Sequence, residues 1–252
     1  MPTLVNVENF ARAESDRMFA SLQADAGGVN RLKHNRAPTP VDHQPVIRMN
    51  RDTLYSAAVV DISGGASVTI PEAGDRYLSV MVVSQDHYVN RIYHEPGAHV
   101  LSIEEFDTPW VGVAARVLVD PRNAEDVAAV NALQDRFAVI AASTQPFVLP
   151  DYDEESLDST RKALLDLARG LTTFDHAFGS KREVDPIRHL LGSAAGWGGL
   201  PDYEARYIGV EPRLPVSEYW LTVCDVPVDG FWSVSVYNAA GYFEPNDRGR
   251  TA

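Results

Sequence analysis

The feature that most constrains this chain is a run of short, β-prone segments joined by turns too short to hold a helix. Residues 53–62, 66–70, 76–84, 89–93, 98–103 and 110–119 are rich in Val, Ile, Tyr and Thr. They are separated by Ser63-Gly64-Gly65, Glu72-Ala73-Gly74-Asp75 and Glu95-Pro96-Gly97. A parallel pair needs a crossover of a dozen residues or more, so these connections imply an antiparallel meander. Helical periodicity lies on either side. Val7, Phe10, Ala11, Met18, Phe19 and Leu22 recur at helical spacing before Gly27-Gly28, and Asn6 can cap that helix. After Asp120-Pro121, Val127, Val130, Leu133, Phe137 and Ile140 predict one helix over about 123–142, and Leu157, Leu164, Leu165, Ala168 and Leu171 a second over 154–171. Residues 219–226 and 231–238, joined across Pro227-Val228-Asp229-Gly230, carry the signal of a β-hairpin.

The expected fold class is therefore α+β, with mainly antiparallel, sandwich-like sheet modules bridged by helices. Three segments are expected: an N-terminal helix with a sheet module at 1–120, a helical bridge at 121–190, and the start of a second β module at 191–252. At 252 residues the chain is long enough to bury a core without a staple. Its single cysteine, Cys224, excludes an internal disulfide and every paired-cysteine zinc or redox motif.

Charge narrows the partners. With Lys+Arg at 22 and Asp+Glu at 35, the formal net charge is -13, so the average surface repels phosphate backbones and anionic lipid. Neither nucleic acid nor a membrane is expected as partner. No apolar run approaches the roughly 20 residues of a membrane-spanning helix, and charges interrupt residues 1–20, so a cytoplasmic location is expected.

Standard catalytic and cofactor signatures fail. Gly-x-Ser-x-Gly, Gly-x-Gly-x-x-Gly and Walker patterns are absent. His94-Glu95-Pro96-Gly97-Ala98-His99 is one residue too long for a zinc-protease motif and holds a Pro-Gly that breaks the helix it would need. No cofactor and no metal are expected. Two polar strings remain as material for a site, and both stand at strand ends. Asp42 to Tyr55 contains Arg48, Asn50, Arg51 and Asp52, and Gln85 to Asn90 contains Asp86, His87 and Tyr88. If they converge, Asp52 or Asp86 can serve as general base and His87 as acid or base. Arg48, Asn50, Arg51 and Tyr88 would then hold a small-molecule ligand, and Tyr55 and Trp197 would stack on it. The plainer reading is that Arg48, Arg51 and Asp52 form a structural ion-pair network. The chain is then a non-catalytic interaction or structural module.

Arg48-Met49-Asn50-Arg51-Asp52-Thr53-Leu54-Tyr55-Ser56 and the later Phe231-Trp232-Ser233-Val234-Ser235-Val236-Tyr237-Asn238 with Gly241-Tyr242-Phe243 resemble a family pairing: domain of unknown function 1254 followed by domain of unknown function 1214. Gln85-Asp86-His87-Tyr88, Asp120-Pro121 and Gly196-Trp197-Gly198-Gly199 also stand where that family has similar strings. The resemblance implies a largely β protein of bacterial type, with two sheet modules bridged by helices. It names no activity that a serine motif here would support. It also implies further strands after Asn246, so the second sheet is expected to expose an edge that favours a homo-oligomer.

Overall fold

A computed structural model describes residues 1–42, 44, 50–210, 214–215, 217–238 and 240–245. The chain is α+β with antiparallel sheets. Helix α1 (Phe10–Ala26) leads into a two-residue strand β1 (Lys33–His34), followed by β2 (Thr53–Asp61), β3 (Ala66–Ile70), β4 (Leu78–Ser84), β5 (Val89–Tyr93) and β6 (Gly97–Leu101). Then come the short α2 (Ile103–Phe106), β7 (Trp110–Leu118), α3 (Ala124–Gln134), β8 (Ala138–Ala141), α4 (Glu154–Leu167) and α5 (Pro186–Ala195).

The strands do not form a simple meander. They split into a five-stranded sheet, β1-β2-β7-β4-β5, and a three-stranded sheet, β6-β3-β8. All pairings between named strands are antiparallel. Strand β7 inserts between β2 and β4 because it is the long apolar strand able to pair on both edges. Its whole length, Trp110 to Leu118, pairs with β2, and its Val111–Val117 stretch pairs with β4. Every residue of β4 is buried, as expected of a strand covered on both faces.

One face of the large sheet meets the small sheet. Leu54, Ala58, Val60, Val80, Val82, Val113, Ala115 and Val117 pack there against Val68, Ile70, Leu101, Phe106 and Val130. On the opposite face Val59, Met81 and Val83 pack with Phe19 of α1, Phe147 and Leu200. Helix α1 turns a second side, Phe10 and Ala13, toward Leu157 and Leu164 of α4 and Leu191 of α5. Among the described residues no helix is long and apolar enough to cross a membrane.

Two expectations are corrected. The helix over 123–142 stops at Gln134, and Ala138–Ala141 forms β8 along the free edge of β3. The apolar stripe runs through both elements, so helical spacing alone could not mark the break. The β-branched pair Val139-Ile140 suits a strand, and the unpaired edge of β3 gives it a ladder. The hairpin at 219–238 is not formed either: among the described residues no strand follows Ala141. Trp220, at 102% relative exposure, and Leu221, Trp232 and Val236 stand open to solvent. A two-stranded ribbon without a packed face is marginal, whatever its turn residues.

Gly112 shows how tightly α1 sits on the sheet. A Cβ there would lie 3.0 Å from both Phe19 Cε1 and Val83 Cγ1, closer than side chains normally approach. The strand glycine is where the Phe19 ring seats. Gly112→Ala should therefore destabilise the fold by about 1–3 kcal/mol through overpacking. Equilibrium urea unfolding checks this; an unchanged midpoint would show that the ring moves aside without cost.

Candidate functional site

Strands β2 and β4 both run antiparallel to β7, so they run parallel to each other. Thr53 and Leu78 therefore share one end of the sheet, opposite Leu118 and Val117, while Asp61 and Ser84 share the other, opposite Trp110 and Val111. That register separates the two polar strings. Asn50, Arg51, Asp52 and Tyr55 belong to the first end, and Asp86, His87, Tyr88 and Trp197 to the second. At about 3.3 Å per residue the length of β4 puts roughly 20 Å between them. Asp52 and His87, whose convergence would have favoured an enzyme site and whose dispersal favours a non-catalytic module, lie at opposite ends of the sheet. Arg48 lies outside the described residues.

The second end is built on the β4–β5 turn. His87 N–H donates to Ser84 O (3.0 Å), and the Ser84 N–H donates to Tyr88 O (2.9 Å). The resulting three-residue loop places its last residue, His87, in the left-handed region at φ 64°. This conformation is uncommon for a residue with a Cβ. It drives the imidazole inward, where it is 0% exposed. Nε2 accepts from the Gly198 N–H at 2.8 Å, and Nδ1 lies 2.7 Å from Ser193 Oγ. The Ser193 hydroxyl in turn donates to His189 O at 2.8 Å. These partners assign a neutral ring with its proton on Nδ1. Burial, reinforced by neighbouring His189, pushes the His87 pKa down to about 3.

Trp197 stacks on the His87 ring at 5.5 Å and 17°, and its indole N–H donates to Ser15 Oγ of α1. Tyr88 stacks on His189 at 4.6 Å and 11°. Both His189 ring nitrogens face carbonyl oxygens, those of Ala177 and Asp86, at 3.1 Å. The Asp86 carboxylate is held by two 2.7 Å bonds from Arg12. Beside it, Asp16 accepts from Gln85 and from the Tyr152 hydroxyl, and burial pushes its carboxyl above the usual range. Asp86, His87, Tyr88 and Trp197 are thus brought together, but as an anchor binding the turn to α1 and α5. The Asp86 carboxylate is engaged by Arg12, and both His87 ring nitrogens already have partners in Ser193 and Gly198.

The first end holds a different cluster, on the sheet face turned toward α1. Tyr55 and Arg116 are cross-strand partners, as are Ser79 and Arg116. Arg116 is only 8% exposed. Its Nη2 donates to Tyr77 Oη at 2.7 Å and lies 3.7 Å from Glu204 Oε1. Tyr77 donates to the same Glu204 oxygen at 2.6 Å, and His94 Nε2 lies 3.0 Å from Oε2. Burial pushes the Tyr77 hydroxyl up to about 12; its bond to Glu204 reinforces the shift and Arg116 opposes it. Aromatic rings stand over the cluster. Phe231 meets Tyr77 edge-on at 5.2 Å, and Tyr207 lies beside Arg116 and Tyr55.

Asp52 stands at the rim of this end. Its carboxylate accepts from the Ser233 hydroxyl at 2.6 Å, and its N–H donates to Asn50 Oδ1 at 2.6 Å. Among the described residues no ion pair joins Asp52 to Arg51. Sequence reasoning missed Tyr77, Arg116 and Glu204 and treated His94 as part of a turn. The available signal was Arg116 itself, a lone charge in the apolar run Val111-Gly112-Val113-Ala114-Ala115-Arg116-Val117. Among the described residues no group of His, Cys, Asp or Glu side chains is placed to hold a metal ion.

Residues 29–99 match the model of the family described as protein of unknown function (DUF1254). The DUF1254 match takes in β1 to β5 and both polar strings, and it does not reach the residues that resemble domain of unknown function 1214. Among solved structures the chain is similar to the VPA0106 protein from Vibrio parahaemolyticus, with a TM-score of 0.58 at 15% identity. The likeness covers 78% of this chain and 66% of that one, so the chain spans about two thirds of its neighbour, and it concerns the fold alone. No curated protein matches the sequence.

The buried imidazole predicts a pH dependence. An unfolded histidine titrates near ~6.5. Between that value and about 3 the folded state binds fewer protons than the unfolded one, so stability falls as pH drops below the unfolded pKa. The contribution lost between pH 7.5 and pH 5 is about 2 kcal/mol. His87→Asn, whose side chain tolerates the left-handed backbone, should show a smaller fall in urea midpoint over that range. An equal fall in both proteins would reject this assignment.

Proposed function

We propose that the chain binds a small molecule at the sheet end formed by Thr53 and Leu78, and that the Asp86–His87–Tyr88–Trp197 group is structural. The observation that carries the reading is the network that joins buried Arg116 to half-buried Tyr77 and Glu204 and, at its outer edge, to exposed His94. A sheet that needed only a core would fill these positions with apolar residues at lower desolvation cost. Here four polar side chains share one face beneath aromatic rings, an arrangement typical of ligand sites: apolar walls with a few fixed polar groups. Tyr55 of β2 forms part of the floor, with Asn50, Arg51 and Asp52 at the rim. Binding is favoured over catalysis because both Glu204 oxygens are already taken by Tyr77 and His94, and the Tyr77 hydroxyl stays protonated far above neutral pH.

A second reading, an interaction module, is favoured by the exposed Trp220, Leu221, Trp232 and Val236. Leu221, Val223, Trp232, Val234 and Val236 line an open apolar hollow of about 530 Å³. On that reading the partner is a second copy of this chain.

A panel of esters, lactones, glycosides and their acids, screened by thermal shift, separates the two. Compounds that raise the Tm of the native protein should lose at least ~10-fold in affinity with Arg116→Gln and change little with Asp86→Asn. Equal behaviour of the two variants would place binding elsewhere. A monomer–dimer equilibrium abolished by Trp232→Ala would favour the second reading.

A further inference from the structure

At the same sheet end, two buried polar atoms have no partner: Arg51 Nε and Thr53 Oγ1. Thr53 is 2% exposed, so solvent does not satisfy its hydroxyl. The nearby acceptors bond to other donors, and none is bonded to Arg51 Nε or Thr53 Oγ1. The Asp52 carboxylate accepts from Ser233, and Asn50 Oδ1 accepts from the Asp52 N–H. The Glu204 oxygens serve Tyr77, His94 and Arg116. Arg116 therefore has a carboxylate counterpart, whereas no ion pair to Arg51 is found among the described residues.

Resting on the binding site proposed above, we infer that its ligand is a monocarboxylate whose oxygens accept from the Arg51 guanidinium and the Thr53 hydroxyl. A guanidinium is a permanent cation with donors and no acceptor, and a threonine hydroxyl can add one donor. A carboxylate answers both, because it is acceptor-only, carries the opposite charge and offers two oxygens. Glu204 and Asp52 at the same end disfavour a second negative charge on the ligand, as does the net charge of -13. The rings of Tyr55, Tyr77 and Phe231 give an apolar body somewhere to lie. Thr53 and Arg51 thus set specificity at the rim, and Arg116 holds the floor.

Benzoate and its neutral isostere benzamide are the probes, titrated by calorimetry against the full chain. Benzoate should bind at least ~10-fold more tightly than benzamide, since a site built for a charged acceptor leaves its donors unmatched by a neutral one. Arg51→Gln should erase that preference, and Thr53→Val should weaken benzoate several-fold while benzamide stays unchanged. Thr53→Val also keeps the test alive if the arginine variant does not fold. Equal binding of the two probes, or benzoate binding insensitive to both substitutions, overturns the carboxylate assignment and leaves the binding site standing. If neither probe binds, both readings fall.

Discussion

Strand β7 is hydrogen-bonded along both edges and, Arg116 apart, apolar on both faces, and most of the remaining structure follows from having to cover it. Its partners β2 and β4 must run parallel to each other, which a tight hairpin cannot arrange. The chain therefore leaves the sheet between them to make β3, and again after β5 to make β6. Those excursions pair with one another as the second sheet and cover one face. Covering the other face falls to α1, which is why Phe19 meets Gly112 so closely and why Trp197, Leu200 and Ala205 are drawn in from far along the chain.

The turn after β4 is where that cover is fastened. His87 accepts a strained backbone because its ring ties the turn to two consecutive pieces far along the chain: α5 through Ser193, and the glycine-rich loop after it through the Gly198 N–H and the Trp197 indole. Asp86 adds α1 through Arg12. A neutral imidazole serves well in a buried joint, since one nitrogen donates, the other accepts and no charge needs solvation. The polarity that resembles a catalytic dyad in the sequence is thus the price of joining helices to a sheet through polar contacts.

Much of the fold was legible in the sequence, and the illegible parts have identifiable physical causes. The strands from Thr53 to Leu118 and the helices beginning at Ala124 and Glu154 follow from local periodicity, which reports burial directly. Strand order does not, because residue spacing carries no information about which edge β7 will pair with. Strand β8 escaped because Ile140 continues a helical stripe, and only the vacant edge of β3 distinguishes the alternatives. The site was half legible for the same reason. Polar strings at strand ends were visible, but the direction of β2 relative to β4 decided whether they meet. That direction is a property of β7.

Arg116 is the residue that turns this topology into a binding argument. A guanidinium on the central strand of a sheet must be matched, because an unpaired buried charge costs several kcal/mol. No acidic residue on its own or neighbouring strands does so. The match comes from Glu204, far along the chain, and Tyr77 shares the same carboxylate oxygen. The segment that brings Glu204 to the sheet also carries Tyr207, and Phe231 and Ser233 close over the same end from farther still. One charge on β7 therefore organises the cover of the sheet end where Arg51 and Thr53 keep their unmatched polar atoms. Glu204 and Tyr77 answer Arg116, whereas among the described residues no ion pair reaches Arg51.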